Sequence, residues 1–378
     1  MRKVIILGST GSIGVQALEV VAANPELFQV VAISAGSSNL PLLVQQAEQF
    51  AIPVIGTTAQ ESAFAGLSTK ARIVCGPSAS SEIAAMPCDI VINGITGSIG
   101  LGPTLAALAA GNKVALANKE SLVAGGELVM RHGRDRILPV DSEHSALFQA
   151  MAAGRADEIS KAILTASGGA FRDRLDLSGV TVAEALNHPT WKMGPVVTIN
   201  SATLVNKGLE IIEAHYLFDL PYSKISAVIH PQSYIHSMVE YIDGSTIAQL
   251  SPPNMKGPIG YAMGYPDRIA KVTPPVDWSQ SHAWEFRPID ENRFPAVSLA
   301  RLAGERGAIA TATFNAANEI AVESFVSGKI DFVEILRVVE HVLASGEFNG
   351  EPRDLADVVS VEQTARSRAA DIVATLTR

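Results

Sequence analysis

The feature that most constrains the fold is a glycine turn between two apolar segments at the amino end. Residues 3–7, KVIIL, and residues 29–34, QVVAIS, each predict a buried strand. Between them Gly8, Gly11 and Gly14 form G-x-x-G-x-x-G, and an amphipathic helix follows. Glycines at this spacing permit a tight turn and a close approach of backbone to a pyrophosphate at the helix N-terminus. A dinucleotide-binding β-α-β unit is therefore predicted.

The next hundred residues continue the alternation of strands and helices, which predicts a parallel sheet. Further strands are expected at ARIVC, CDIVING, NKVALAN and RILPV. The pentapeptide TGSIG occurs at 10–14 and again at 96–100, after the predicted strand CDIVING. We interpret the first copy as the phosphate cradle and the second as the other wall of the same crevice. The alternative for the second copy is an ordinary strand-to-helix turn.

The pattern changes after about residue 145, where helices alternate irregularly with strands that include an Asp243-Gly244 hairpin. A proline-rich connector follows, and the pattern from Ala296 onward is helical. The predicted fold class is α/β, with a Rossmann-type NADP-binding domain at 1–143 and a central α+β domain with a mixed or antiparallel sheet at 144–265. A linker at 266–291 and a small α-helical domain at 292–378 complete the prediction.

Composition narrows the possible partners. The 378 residues carry a formal charge of −9, which argues against a nucleic-acid or anionic membrane surface. Cys75 and Cys88 lie in unrelated contexts and predict neither a disulfide framework nor a thiolate metal site. No apolar run is long enough for a membrane span or a secretory signal. We therefore expect a cytoplasmic protein with a small-molecule substrate.

The end of the second predicted strand bears on cofactor choice. NAD sites usually carry an acidic residue there, but none lies between Leu27 and Ala47. The segment reads SAGSSN instead, which favours NADP because a carboxylate would repel a 2′-phosphate. No Lys or Arg occurs from residue 4 to 69. The phosphate would therefore rely on hydroxyl and backbone N–H groups, or on a distant cation such as Arg72.

Two acidic segments suggest a metal site. Asp141 and Glu143 follow a predicted strand at a spacing that lets both bind one hard cation, although a helix cap explains them equally well. Asn206, Lys207 and Glu210 share one face of a predicted apolar helix. A surface ion pair is the plainer interpretation, but a third carboxylate from Glu210 would suit Mg²⁺ or Mn²⁺.

Other polar segments are candidate substrate contacts. Ser167 begins a glycine turn that resembles an anion nest, and Lys119 follows a predicted strand. His188 stands in the loop NHPTWKMG, whose Pro and Gly flanks favour a lid over the ligand. A plain strand-end lysine is the alternative for Lys119. His230 and His236 lie in strand-like sequence and are expected in the core or an interface.

Taken together these motifs resemble the 1-deoxy-D-xylulose 5-phosphate reductoisomerase family. The stretches that carry the resemblance are LGSTGSIG, LANKESLV, PVDSEHSALFQ, SGGAFR, HPTWKMG, NSATLVNKGLE and IHPQSYIHSMVEY. They extend from the start of the chain to about residue 265. The resemblance implies NADPH- and divalent-metal-dependent rearrangement and reduction of 1-deoxy-D-xylulose 5-phosphate to 2-C-methyl-D-erythritol 4-phosphate, in the non-mevalonate route to isoprenoids. It also implies a homodimer through the sheet of the second domain.

The resemblance further implies a role for individual residues. The catalytic residues would be Lys119, Asp141, Glu143, His188 and Glu210. The metal ion, Mg²⁺, Mn²⁺ or Co²⁺, would be held by Asp141, Glu143 and Glu210. The substrate would contact Lys119, Ser142, Glu143, Ser167, His188, Trp191, Met193, Ser201, Asn206, Lys207 and Glu210. NADPH would contact Gly8, Thr10, Gly11, Ser12, Ile13, Gly14, Gly36, Ser37, Ser38, Asn118, Glu120 and Gly194.

Two positions depart from the family pattern. Many members have a basic residue where this chain has Ser37, which leaves the binding of the 2′-phosphate open. The turn that often reads Gly-Gly-Pro ends here in Ala170. The rival predictions are a metal-independent semialdehyde or homoserine dehydrogenase, which chelation would not inhibit, and an NADP-sensing regulator without a complete second site.

Overall fold

The computed structural model describes residues 1–191, 193–344, 346 and 348–376, so Lys192 of the predicted lid loop lies outside the described residues. Its strands are β1 (Arg2–Leu7), β2 (Phe28–Ala35), β3 (Val54–Thr57), β4 (Arg72–Cys75), β5 (Ile90–Asn93), β6 (Lys113–Leu116), β7 (Ile137–Pro139), β8 (Ile159–Ala166), β9 (Ile225–Ile229), β10 (Ile235–Tyr241), β11 (Thr246–Leu250) and β12 (Arg287–Pro288).

Its helices are α1 (Ser12–Ala23), α2 (Leu40–Gln49), α3 (Ala79–Ala84), α4 (Leu101–Ala109), α5 (Glu120–Met130), α6 (Ser142–Met151), α7 (Val182–Ala185), α8 (Pro195–Ala202), α9 (Val205–Phe218), α10 (Lys256–Gly264), α11 (Ala296–Arg306), α12 (Ala308–Val326), α13 (Glu334–Ala344) and α14 (Leu355–Leu376). The chain divides into two compact units. The first comprises Met1–Ser121, Val129–Ser145 and Asn254–Pro274, and the second comprises Leu122–Leu128, Ala146–Pro253 and Pro275–Arg378.

The first unit is built on a seven-stranded parallel sheet in the order β4-β3-β2-β1-β5-β6-β7. Residues 4–7 of β1 and all of β5 are buried, which is typical of central strands in a parallel sheet that helices cover on both faces. The late segment Asn254–Pro274 belongs to this unit, and Arg2 donates hydrogen bonds to the carbonyls of Met263 and Tyr265 at the end of α10. The strand order reverses between β1 and β5, where such sheets bind ligands.

The second unit contains a five-stranded mixed sheet in the order β11-β10-β8-β9-β12. Strands β8 and β9 are parallel, and β10 is antiparallel to both β8 and β11. Helices α11 to α14 follow, and α12 carries the fully buried Phe314. Gly208 of α9 lets that helix approach α11 closely, since a Cβ there would lie 2.8 Å from the Cβ of Ala300.

The predicted fold class is confirmed: a parallel Rossmann-type sheet, a mixed second sheet and a carboxy-terminal helical region. Details differ from the sequence prediction. The single helix expected across NSATLVNKGLEIIEAHYLF is divided into α8 and α9 by Leu204, whose φ of +61° lies in the left-handed region. The short strand β3 was not predicted. The division at residues 143, 265 and 291 stays a prediction.

The Asp243-Gly244 hairpin joins β10 to β11 as predicted, with Gly244 at a positive φ of +84°. His230 and His236 are both buried, as expected. Among the described residues, no helix combines the length and apolar character that crossing a lipid bilayer requires.

Candidate functional site

The first TGSIG copy forms a closed turn between β1 and α1. The backbone N–H groups of Gly8 and Ser9 donate to the Ser34 carbonyl at 2.8 and 2.9 Å, and Gly11 donates to the Gly8 carbonyl at 3.0 Å. Gly8 has a φ of +77°. A Cβ on Gly14 would lie 2.3 Å from the Cα of Ser9, so only glycine fits there. Glycine at positions 8 and 14 is therefore a steric requirement of this turn.

The amino end of α1 has the character of an anion site. Gly11 is its N-cap residue, no side chain caps it, and its first turn contains no acidic residue. Gly11 and Ser12 are exposed, while Thr10 and Ile13 are half-buried. Backbone N–H groups and the positive end of the helix dipole thus face solvent together, which is the arrangement that binds phosphate.

The second TGSIG copy lies directly beside the first. Strands β1 and β5 are paired, so both turns leave the same carboxyl edge of the sheet at neighbouring positions. A Cβ on Gly8 would lie 2.7 Å from the Gly94 carbonyl oxygen, and one on Gly94 would lie 3.1 Å from the Cβ of Ile13. The two turns therefore touch, at the point where the strand order reverses.

The residues predicted to lie near the cofactor ribose follow β2. Gly36, Ser37 and Ser38 are exposed at the same carboxyl edge. Asn39 is used locally, because its side chain accepts from the N–H of Leu42 and caps α2. Arg72 opens β4 and thus lies at the amino end of the sheet. Of the two alternatives for the 2′-phosphate, this position disfavours Arg72 and favours hydroxyl and N–H groups.

Lys119 and Asp141 form an ion pair at the carboxyl ends of β6 and β7. Lys119 Nζ lies 2.6 Å from Asp141 Oδ2, and His144 Nδ1 lies 3.1 Å from Asp141 Oδ1. Burial by itself would raise the pKa of Asp141, but the Lys119 ammonium and then His144 hold it well below its ordinary value. Asp141 is therefore an ionised, nearly buried carboxylate, and Lys119 is more than a plain strand-end residue.

Asp141 also caps α6, because its Oδ1 accepts from the backbone N–H of Glu143 at 3.1 Å. The Ser142 hydroxyl donates to the Glu143 carboxylate. The capping role weighed from the sequence is therefore real. It leaves Asp141 Oδ2 engaged with Lys119, so capping does not exclude the ligand role.

In the second unit, Ser167 and His188 are hydrogen-bonded. Nδ1 of His188 accepts from the N–H groups of Thr190 and Trp191, at 3.1 and 2.8 Å. The proton of a neutral ring must then be on Nε2, which donates to Ser167 Oγ at 2.9 Å. Burial, and then the charge of Arg172, lower the pKa of His188 to about 4. His188 is thus a neutral imidazole fixed in one tautomer.

Ser167 Oγ accepts a second hydrogen bond, from the N–H of Gly169 at 3.2 Å. With both lone pairs used, its own proton is directed away from these two partners. Gly169 has a φ of +67°, and a Cβ there would lie 2.5 Å from the Ser201 carbonyl oxygen. The predicted glycine turn therefore packs against the end of α8, which brings Ser167, His188 and Ser201 into one region.

Lys207 and Glu210 form a buried ion pair on α9. The Lys207 ammonium donates to the Glu210 carboxylate and to the Thr165 carbonyl at the end of β8. Asn206 donates to the other oxygen of Glu210 at 2.5 Å. Both charged side chains are at most 3% exposed. A surface ion pair, the plainer interpretation of the sequence, is therefore wrong for this pair.

The predicted lid loop is held on this unit as well. The Trp191 ring lies 6.3 Å from the ring of His236, and Met193 and Gly194 precede α8. His236 bonds to Ser251, while His230 accepts from the N–H groups of Tyr234 and Ile235.

Sequence reasoning missed several supporting residues. Ser9 and Gln46 exchange two buried hydrogen bonds beneath the glycine turn, at 2.8 and 2.9 Å. Asn93 lies in the apolar strand CDIVING, and this position could have indicated a buried hydrogen-bond network, because a buried amide needs partners. Gln46 gave no comparable signal within its helix.

Three family models match the chain. The model described as 1-deoxy-D-xylulose 5-phosphate reductoisomerase matches residues 4–126, and that of the family's C-terminal domain matches 137–218. A third, described as DXP reductoisomerase C-terminal domain, matches 250–368. Curated relatives of the same name include one from Streptomyces coelicolor, 50% identical, which covers 99% of this chain and 93% of the relative. One from Pseudarthrobacter chlorophenolicus is 52% identical, with 97% of each chain covered.

Solved structures agree with this assignment. The reductoisomerase of Zymomonas mobilis in complex with NADPH is 38% identical, with a TM-score of 0.90 over 98% of this chain and 99% of that one. A DOX-P reductoisomerase in complex with NADPH, fosmidomycin and magnesium is 37% identical, with a TM-score of 0.92 over 100% of this chain and 99% of that one.

Proposed function

The chain belongs to the 1-deoxy-D-xylulose 5-phosphate reductoisomerase family, and from that premise we propose how its own residues act. It converts 1-deoxy-D-xylulose 5-phosphate to 2-C-methyl-D-erythritol 4-phosphate in isoprenoid biosynthesis, with NADPH and a divalent metal ion as cofactors. NADPH supplies the hydride for the reduction. The metal ion supplies Lewis-acid stabilisation of substrate oxygens.

We assign NADPH to the carboxyl edge of the first unit's sheet. The uncapped amino end of α1 at Gly11 and Ser12 would bind the pyrophosphate, with Gly8 and Gly14 closing the turn behind it. The exposed Ser37 and Ser38 would bind the 2′-phosphate through hydroxyl and N–H groups. The remaining cofactor residues in this proposal are Thr10, Ile13, Gly36, Asn118, Glu120 and Gly194.

The residues proposed to hold the metal ion are Asp141, Glu143 and Glu210. Their chemistry fits the group, because carboxylate oxygens are the ligands that Mg²⁺ and Mn²⁺ prefer. Asp141 is kept ionised beside Lys119 and His144, and the Glu210 carboxylate accepts hydrogen bonds from the Lys207 ammonium and the Asn206 amide.

We propose that the second unit binds the substrate phosphate. Ser167 Oγ accepts hydrogen bonds from His188 and Gly169, so its own hydroxyl proton would be free to donate to a phosphate oxygen. His188 holds Ser167 and, through Nδ1, the backbone of the loop that carries Trp191. Closure of that loop over the substrate would exclude water. Ser142, Met193, Ser201, Asn206 and Lys207 are the other proposed substrate contacts.

The observation that carries this proposal is the ionised Asp141, held by Lys119 at the ligand-binding edge of a dinucleotide-type sheet. Glu210→Gln tests the ligand set, because it keeps the shape of the side chain and removes its charge. Turnover should fall by about a thousandfold or more, and Mn²⁺ affinity, measured by calorimetry, should fall with it.

NADPH affinity should stay within about twofold of the wild type, since the two sites use different residues. The matched control is Glu240→Gln, on β10, where the carboxylate accepts a hydrogen bond from the Ser160 hydroxyl at 3.1 Å and has no proposed ligand role. Full activity or unchanged Mn²⁺ affinity in Glu210→Gln would contradict the assignment of Glu210 as a ligand.

We further propose a cytoplasmic homodimer. Strand β11 is an edge of the mixed sheet, and its residues Thr246, Ile247 and Ala248 are exposed. An exposed edge strand with an apolar residue is suited to pairing with a second copy. Sedimentation of the wild type should give the mass of a dimer, and Ile247→Lys should shift it to the monomer. A monomeric wild type would contradict the proposal.

A further inference from the structure

Asn118 lies between the predicted strand-end lysine and the second TGSIG copy, and its amide is completely engaged. The side chain is 2% exposed. Its Nδ2 lies 2.7 Å from the Ile95 carbonyl, 2.8 Å from the Gly97 carbonyl and 2.8 Å from Glu120 Oε2. Its Oδ1 accepts from both the N–H and the hydroxyl of Ser121. A carboxamide has two N–H donors and two lone pairs on oxygen, so no capacity remains for a cofactor atom.

The bonding continues as a chain of buried groups. The Ser121 hydroxyl proton is used on Asn118, so Thr104 Oγ1 must be the donor in its 3.0 Å contact with Ser121 Oγ. Thr104 Oγ1 in turn accepts from Asn93 Nδ2 at 2.8 Å. We call these four residues, Asn93, Thr104, Asn118 and Ser121, the Asn118 network. Removing one partner leaves buried groups unsatisfied, which lowers the stability of the fold.

The second TGSIG turn is shaped around this amide. A Cβ on Gly100 would lie 2.5 Å from Asn118 Oδ1, so glycine is needed there to admit the side chain. The Gly100 carbonyl accepts from Asn93 Nδ2 at 2.9 Å, and Asn93 Oδ1 accepts from the Ile95 N–H at 3.1 Å. The turn is therefore fastened at Ile95, Gly97 and Gly100 to the same network.

The network also fixes the backbone on both sides of Lys119. The N–H groups of Ala117 and Asn118 donate to the Asn93 carbonyl at 3.0 and 3.1 Å. On the other side, Ser121 donates its N–H to Asn118, and Glu120 accepts from Asn118. Lys119 is thus clamped between two anchored residues, with its ammonium 2.6 Å from Asp141.

We infer that Asn118 is a positioning residue: its carboxamide ties the second TGSIG turn to the Lys119-Glu120 turn and so fixes the Lys119 ammonium beside Asp141. Any contact of Asn118 with NADPH is then made by its backbone. This inference rests on the proposed function, since it assigns to Asn118 an effect on turnover through Lys119. It is distinct from the cofactor-ligand role that the family resemblance gave to this residue.

The test is Asn118→Asp, which keeps the shape and the acceptor for Ser121 but removes both donors. Its matched control is Asn112→Asp in the same unit. Asn112 is also buried and also donates to two carbonyls, those of Ala84 and Met86, both at 2.9 Å, but it is not a member of the Asn118 network. Both variants should lower the melting temperature by a similar amount.

The kinetic readouts separate positioning from structure. In Asn118→Asp, kcat at saturating NADPH should fall by about tenfold or more, because misplacing a positioned group by about 1 Å costs up to a hundredfold. The Kd of NADPH, measured by its fluorescence, should change by less than about threefold. In Asn112→Asp both quantities should stay within about twofold of the wild type.

Equal kinetics in the two variants would overturn the inference, because the role would then be structural only. A Kd for NADPH raised about tenfold with unchanged kcat would also overturn it, by making Asn118 a direct ligand. A wild type without turnover would overturn the proposed function and this inference with it. If Asn118→Asp fails to fold, Ser121→Ala should lower kcat about threefold without changing the Kd, and unchanged kcat there would equally overturn the inference.

Discussion

The two TGSIG turns have identical sequences and lie side by side, yet the structure uses them differently. In the first, the glycine at the fifth position faces its own turn, since a Cβ on Gly14 would meet Ser9 and Gly8 backbone atoms at 2.3 and 2.4 Å. In the second, Gly100 faces the Asn118 side chain. Both positions require glycine, but the atoms that a larger side chain would meet differ: backbone at Gly14 and a side chain at Gly100.

Their polar groups differ in the same way. The helix starts at both copies lack a side-chain cap, but Gly11 and Ser12 of the first copy are exposed, whereas Gly97 and Ser98 of the second are half-buried. In the second copy the carbonyls of Gly97 and Gly100, together with that of the preceding Ile95, accept hydrogen bonds from Asn118 and Asn93. Residues Ser98–Gly100 form a short 3₁₀ turn before α4. The identical sequence therefore encodes the same backbone geometry twice, a tight strand-to-helix turn. The neighbouring side chains determine that only the first turn is proposed to bind a phosphate.

The largest expected effect comes from replacing the fifth glycine of each copy with alanine. Gly14→Ala should lower the free energy of unfolding by about 3 kcal/mol and abolish NADPH binding, because its clash is with backbone that cannot move aside. Gly100→Ala clashes with a side chain and should cost about 1–2 kcal/mol. Chemical denaturation of both variants measures the difference, and equal losses would contradict the distinction between the turns.

The next largest effect is on NADPH affinity, and it compares the same serine-to-aspartate substitution in the two copies. Ser12→Asp places a carboxylate at the amino end of α1, where it competes with a phosphate, and should raise the Kd of NADPH about a hundredfold without loss of stability. Ser98→Asp makes the same change at the equivalent position of the second copy. It should raise the Kd by less than about tenfold. NADPH titration by fluorescence measures both, and similar increases would show that both copies bind phosphate.

Removing the hydrogen bonds between Gln46 and Ser9, next to the first turn, should reduce stability and NADPH affinity to an intermediate extent. Gln46→Met keeps the length of the side chain and removes both hydrogen bonds to Ser9, so stability should fall by about 1–3 kcal/mol. NADPH affinity should fall about tenfold as the turn loosens. The control is Gln45→Met, at an exposed neighbouring position. A loss of stability without loss of affinity would separate Gln46 from the cofactor turn.

The smallest effect distinguishes a crevice wall from an ordinary turn. Ile99 is 77% exposed at the tip of the second copy, so Ile99→Ser should change the free energy of unfolding by less than about 0.5 kcal/mol. If the second copy is the other wall of the crevice, the Kd of NADPH should rise about threefold, from lost apolar contact. An unchanged Kd would favour the ordinary strand-to-helix turn.

The sequence predicted the first unit best because its signals are local. The strand, the three glycines and the helix lie within residues 2–23, and two of those glycines, Gly8 and Gly14, are sterically required. The second unit was harder to predict, because β8 pairs in parallel with β9, which lies 58 residues further along the chain (167–224 intervene). The left-handed Leu204 that divides α8 from α9 has no sequence signature, since tertiary packing must hold a leucine there.

The candidate site shows the same limit. The carboxylates, the lysines and the histidine of the site were named from motifs and from family resemblance. The pairing of Lys119 with Asp141 and the tautomer of His188 depend on which groups the fold brings within hydrogen-bonding distance. The Asn118 network joins residues 93, 104, 118 and 121 from separate elements, so no local pattern could reveal it.

The central claim is that this fold carries out a metal-dependent, NADPH-consuming conversion of a sugar phosphate. The most direct test follows NADPH absorbance with 1-deoxy-D-xylulose 5-phosphate, in the presence of Mg²⁺ or Mn²⁺ and again after chelation with EDTA. We predict oxidation of NADPH only when both substrate and metal ion are present. Absence of turnover with both present, or undiminished turnover after chelation, would contradict the claim.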